Sequence, residues 1–143
     1  MADRGRATAM SRERFTARQA EVHNAIARLQ EAVAQAETPI LRDAVIQRFE
    51  FTFELVWKAL QLYLEHRGLE CGSPRATLKK AFAEGLIQTP EEADAGLQML
   101  DDRNLTSHAY DEELALRIYQ HIVRDHTPLL GRMAECIQTL AWD

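Results

Sequence analysis

Glycine and proline are scarce in this chain, six and four among 143 residues. So few turn formers leave little room for the many turns of an all-β fold. Cysteine is scarcer still. Cys71 and Cys136 stand far apart, a usage that suits a reducing cytoplasm and does not require them to pair. No apolar run approaches the roughly 18 residues of a membrane span. The opening Met-Ala-Asp-Arg-Gly-Arg lacks the apolar segment of a signal peptide. A cytoplasmic location and no membrane partner are therefore expected. Positive charge is not in excess either, with 17 Lys and Arg against 22 Asp and Glu and a net charge of −5. That argues against a protein that coats nucleic acid non-specifically, and no DNA partner is expected, but it leaves room for a small local phosphate site. There is no glycine-rich phosphate loop, nucleophile elbow or Cys-x-x-Cys, and no Glu-x-x-His pair of the kind di-iron bundles carry. No cofactor is expected.

What is present reads as helix. All four prolines follow Ser or Thr, at Thr38-Pro39, Ser73-Pro74, Thr89-Pro90 and Thr127-Pro128. A hydroxyl at the N-cap accepts from an orphan backbone N–H, and proline at the next position forfeits no helical bond. Each pair can open a helix. The first helix is expected over about Arg12 to Ala36, with Phe15, Val22, Ile26, Leu29, Val33 and Ala36 on one seam. Arg4, Arg6, Arg12, Arg14 and Arg18 crowd the N-terminal end; residues 1–11 are expected to form a flexible basic tail, and 12–143 a single domain. The second helix should run from Thr38-Pro39 to a C-cap at Gly68. Its stripe is Val45, Phe49, Phe53, Val56, Leu60 and Tyr63, widened by Phe51, Leu55 and Trp57. So broad an apolar surface fits either a central helix or one facing a second subunit. A short third helix, Ser73-Pro74 to about Glu84, carries Arg75, Lys79 and Lys80 on a solvated face and stops at Gly85. Thr89 with Glu92 forms a capping box for the fourth helix, inside which Gly96 has no evident purpose. Asp111-Glu112-Glu113 opens a fifth segment that either kinks or restarts at Thr127-Pro128. The predicted fold is all-α, an up-and-down four-helix bundle with an additional short helix.

Against this pattern one stretch stands out, Asp101 to Tyr110, where charged and hydrogen-bonding side chains crowd together at the end of a helix. Arg103 offers a permanent charge and a planar fork suited to phosphate. His108 can give or take a proton near neutral pH. Together they suffice for metal-independent cleavage of an RNA phosphodiester, with His108 on the proton and Arg103 on the developing phosphate charge. On a continuous helix, residues five apart point about 140° away from each other, so one copy converges poorly unless the helix ends between them. Two copies across a two-fold axis can build the site from both chains. Asn104 shares a face with His108. The competing reading is structural, with Arg103 paired to Asp101, Asp102 or Asp111 and the polar groups satisfying a fraying helix end. His121, Asp125 and His126 make a fragmentary set of metal ligands, too sparse to predict a site, so no metal is expected.

Arg103-Asn104-x-x-x-His108-x-Tyr110 resembles the Arg-x4-His-x-Tyr motif of the HEPN superfamily, and the chain is similar more narrowly to its HepT-type proteins, also described as nucleotidyltransferase substrate-binding proteins. The block Arg48-Phe49-Glu50-Phe51-Thr52-Phe53-Glu54-Leu55-Val56-Trp57-Lys58, Ser73-Pro74-Arg75, and Met99-Leu100-Asp101-Asp102-Arg103-Asn104 carry the likeness further, in the same order from about Phe15 to Leu140. The departure is Gly96, where relatives often have a large aromatic. The resemblance implies a dimerising helical bundle encoded beside a minimal nucleotidyltransferase. It implies an RNase toxin with Arg103 and His108 catalytic at a homodimer interface and Asn104 a supporting polar residue. Tyr110 would be the site where the nucleotidyltransferase antitoxin places AMP from ATP. The same fold also implies an alternative, a non-catalytic subunit presenting substrate to the nucleotidyltransferase. A third reading is a plain helical dimer whose motif is structural.

Overall fold

A computed structural model describes the backbone from Ala2 to Asp143 and the side chains from Ser11 onward. Six α-helices follow one another among these residues: α1 (Ala2–Val33), α2 (Pro39–His66), α3 (Pro74–Ala83), α4 (Pro90–Leu105), α5 (Glu112–His121) and α6 (Thr127–Thr139). A 3-10 turn, Thr106–His108, follows α4, and a π segment, Ile122–His126, joins α5 to α6 without a break. The backbone of α1 reaches back to Ala2, before the expected start at Arg12, and ends at Val33. The predicted basic tail falls mostly on residues 1–10, whose side chains lie outside the described residues.

Local chemistry explains most of the helix ends. Thr38 Oγ1 accepts from Leu41 N at 3.0 Å, Ser73 Oγ from Ala76 N at 3.1 Å, and Thr89 Oγ1 from Glu92 N at 3.1 Å. Each cap contributes about 1 kcal/mol by satisfying a donor with no helical partner. Asp111 does the same for α5, accepting from Leu114 N at 3.2 Å. The capping box at Thr89 is only half formed. Glu92 accepts from the Thr89 hydroxyl at 3.4 Å and turns its other oxygen to Arg132 Nε at 2.9 Å, so a tertiary partner takes the carboxylate that would have closed the box. Gly68 and Gly85 take positive φ, 85° and 79°, the left-handed caps that end α2 and α3 without Cβ strain.

Thr127-Pro128 behaves differently from the other three pairs. His126 and Thr127 are helical, and no side chain caps α6. Pro128 has no N–H to return to the preceding turn, and the chain absorbs this in a π turn with Thr127 N bonded to Ile122 O. The Thr127 hydroxyl is buried without a partner.

Helix α2 is the centre of the bundle, packed against α1, α3, α5 and α6. Phe49, Phe53, Val56 and Leu60 are fully buried there, as are Phe15, Val22 and Leu29 of α1. Each such side chain contributes roughly 1.5–3 kcal/mol by leaving water. The C-terminus folds back after α6. Trp142 stacks on His66 at 3.7 Å and on Phe15 at 5.0 Å, sealing the end of the core. Gly96 is buried in α4, facing Leu78 and Met133.

Candidate functional site

The helix that presents Arg103 ends at Leu105, and His108 closes the 3-10 turn that follows. The condition for convergence is therefore met in part: the two residues stand on different backbone segments. Among the described residues no hydrogen bond or ion pair joins them. Arg103 instead turns inward. Its Nε lies 3.3 Å from Glu54 Oε1 of α2, and its Nη1 donates to Thr106 Oγ1 at 3.2 Å. The Nε–H is not aimed along the Glu54 oxygen, so that contact is Coulombic attraction more than a directed hydrogen bond. Thr106 is buried, and its hydroxyl donates to Arg103 O at 2.7 Å. The arginine is thus gripped at backbone and side chain by one threonine.

Glu54 is occupied on all sides. It accepts from Trp57 Nε1 at 3.2 Å and lies 3.7 Å from Lys58 Nζ, both on its own helix. The spacing Glu54-x-x-Trp57-Lys58 puts these three on one face, but only the crossing of α2 and α4 brings Arg103 to them. None of the three acidic partners foreseen for Arg103 takes it. Asp101 meets Arg75 at 3.5 Å, Asp111 caps α5, and Asp102 belongs to a separate cluster.

Beyond Arg103 the motif is open to solvent. Asn104 is exposed, and its backbone oxygen accepts from Ser107. His108 is exposed, with its ring edge-on to Tyr110 at 6.1 Å between centroids. Tyr110 is 83% exposed, so its phenolic oxygen is unobstructed.

Immediately before Arg103 lies a constellation the sequence reading missed. Asp102 Oδ2 is 2.8 Å from His121 Nδ1 and 2.7 Å from His126 Nε2. A carboxylate can only accept, so both imidazoles present N–H to the same oxygen. Burial alone would raise the Asp102 carboxyl. The hydrogen bonds and charges of His126 and His121 outweigh it and hold the group below the ordinary aspartate value. His126 is 4% exposed and stacks on Phe49 at 5.3 Å. The fragment suspected on one helix face is thereby corrected: Asp125 is turned away to Arg124 at 3.0 Å, and the carboxylate that meets the two histidines comes from α4. His121 and His126 are five apart, a spacing that diverges on an α-helix. The wider π turn between them swings both toward α4.

Among the described residues the chain is all-helical, with Arg-x4-His-x-Tyr running off the end of its fourth helix, the arrangement that the resemblance to HEPN proteins implied. The family described as nucleotidyltransferase substrate binding protein like matches residues 17–139, and the chain belongs to that family. Among individual proteins it is similar to the probable ribonuclease HepT of Haemophilus influenzae, 33% identical over 82 residues, covering 54% of each chain. The chain therefore spans about half the length of that curated relative. A solved structure from Thermus thermophilus is 42% identical, covers 82% of this chain and 98% of its own, and superposes with a TM-score of 0.75. The tri-AMPylated HEPN toxin of Shewanella oneidensis, solved in complex with the MNT antitoxin, shares the fold at 21% identity. That match has a TM-score of 0.72, over 88% of this chain and 97% of its own. No described helix is long and apolar enough to cross a membrane.

Proposed function

We propose that this chain is the ribonuclease toxin of a toxin–antitoxin pair, acting without metal through Arg103 and His108 and controlled at Tyr110 by a small nucleotidyltransferase. The observation that carries this reading is the change from α-helix to 3-10 turn between Arg103 and His108. It leaves a held guanidinium on one side and a solvent-facing imidazole and phenol on the other. His108 removes the proton from a ribose 2′-hydroxyl as that oxygen attacks the phosphorus, or delivers one to the departing 5′-oxygen. Arg103 neutralises charge on the phosphoryl oxygens. The products are a 2′,3′-cyclic phosphate and a free 5′-hydroxyl, so no metal-bound water is required.

Because Arg103 and His108 make no contact within one chain, the site is completed by a second copy. Phe51, 58% exposed beside the α1–α2 groove lined by Arg28, Arg48 and Leu55, and Leu105, 41% exposed next to the motif, are apolar surface such a partner would cover. For control, the Tyr110 phenol attacks the α-phosphorus of ATP on the nucleotidyltransferase and pyrophosphate leaves. The AMP then placed beside His108 adds negative charge and bulk where RNA must lie. Relatives of this fold bearing the names ribonuclease and HEPN toxin, one of them AMPylated and bound to an antitoxin, support the reading.

The test is cleavage of RNA by the purified chain in EDTA. His108→Ala and Arg103→Ala should each lose about 100-fold or more in rate. Mixing the two inactive variants should restore part of it, since a site drawing Arg103 and His108 from different chains is rebuilt in the mixed dimer. Equal cutting by wild type and His108→Ala overturns the reading. A second reading, a non-catalytic substrate-binding subunit, draws on Glu54, whose carboxylate offsets the Arg103 charge. It expects a stable complex with the nucleotidyltransferase and no growth defect when the chain is expressed alone.

A further inference from the structure

We propose that Asp102, His121 and His126 form a binding site for one zinc ion per chain, separate from the ribonuclease motif and independent of that assignment. The donor set is two imidazole nitrogens and one carboxylate oxygen, borderline and hard ligands of the kind zinc takes, with no thiolate. All three donor atoms lie within 4.8 Å of one another. Both nitrogens already meet the same carboxylate oxygen, at 2.7 and 2.8 Å. A tetrahedral zinc with bonds of about 2.0–2.2 Å needs the donors to spread only slightly around it. His121, with a side chain 34% exposed, is free to make that movement and leaves a solvent-facing side for a water as fourth ligand.

Two further features point to an ion. The Asp102 side chain is 13% exposed, and among the described residues its carboxylate pairs with no lysine or arginine, only with the two imidazoles. A buried carboxylate with no permanent cation nearby is charge that a divalent ion would neutralise. Moreover, His121 and His126 converge only because the chain is π-helical between them. Such a turn, rare and frequent at functional sites, is here used to bring two ligands together. On binding, each imidazole gives its lone pair at Nδ1 of His121 or Nε2 of His126, and the ring proton moves to its other nitrogen. Zinc would then tie the last turn of α4, just before Arg103, to the α5–α6 junction.

The experiment is calorimetric titration of zinc chloride into the full-length chain, stripped with chelator, near neutral pH. One saturable equivalent per chain is expected, weakened at least tenfold in His121→Gln and Asp102→Asn and unchanged in Asp125→Asn. A Cys71→Ser, Cys136→Ser double variant should bind as wild type does. Because a variant can lose binding by failing to fold, nitrogen NMR of the wild-type imidazoles provides a second measurement. His121 Nδ1 and His126 Nε2 should both shift on titration, while His108 does not. Absence of a saturable equivalent overturns the proposal, as does binding that survives in His121→Gln and Asp102→Asn, or binding lost with the cysteines. Unmoved His121 and His126 resonances overturn it equally.

Discussion

Replacing Asp102 by alanine, in chelator so that no ion contributes, isolates what the buried carboxylate does for the fold. His126 is 4% exposed, so without Asp102 its Nε2–H faces a space water reaches poorly. An unsatisfied buried donor costs about 1–3 kcal/mol. His121 is one-third exposed and recovers a water partner at little cost, so a total near 2–3 kcal/mol is expected. For a chain of this length each kcal/mol is worth about 4 °C, which places the Asp102→Ala melting temperature roughly 8–12 °C below wild type. Asn at the same position should lose less. Its amide oxygen can take the place of Oδ2 and still accept from both imidazoles, without the charge. The pH dependence has a definite sign. The Asp102 carboxyl is held below its ordinary value in the folded state. Its contribution is complete above the unfolded value near pH 3.9 and fades as pH falls through the folded value. The gap between wild type and Asp102→Ala should therefore narrow in acid. Circular-dichroism melts at fixed protein concentration measure both effects. A gap of about 1 °C or less near neutral pH, or one that widens below pH 4, rules out this role for the carboxylate.

Four further substitutions probe the packing and the caps. In Gly96→Ala the new methyl would meet Met133 Cε at 3.8 Å and Leu78 at 3.9 Å, ordinary contact. Removal of a helical glycine should raise stability by about 0.5–1 kcal/mol, and a drop in melting temperature would show the α3–α4–α6 layer is tighter than these distances allow. Thr89→Ala should cost about 1 kcal/mol by uncapping α4, read as a lower urea midpoint with unchanged slope. Thr127→Val should be neutral or stabilising, because its buried hydroxyl has no partner to lose. A clear loss there would reveal a bond to water. Trp142→Ala should cost about 3–5 kcal/mol, since the indole closes the core over Phe15 and His66. A small change would mean the C-terminal turn docks only loosely.

Much of this protein was determined within four-residue windows of its sequence. Thr38, Ser73, Thr89 and Asp111 cap helices through bonds to the backbone three residues on. Gly68 and Gly85 end them by adopting a φ other residues resist, and the apolar stripe of α2 buries as its period requires. Even the exposed run Asn104, His108 and Tyr110 follows from a polar stretch at a helix end. Such features are legible because both partners, or the residue and its own backbone, are local. The tertiary structure decided the rest. Arg103 had three acidic neighbours in sequence and pairs with Glu54 of another helix. Asp102 meets two histidines 19 and 24 residues away, and Glu92 leaves its capping box for Arg132. Those choices depend on where helices cross and on a π turn induced around Pro128, and neither the crossing nor the turn has a periodicity to read. A side chain's type states what it can bond. Only packing states which partner arrives first.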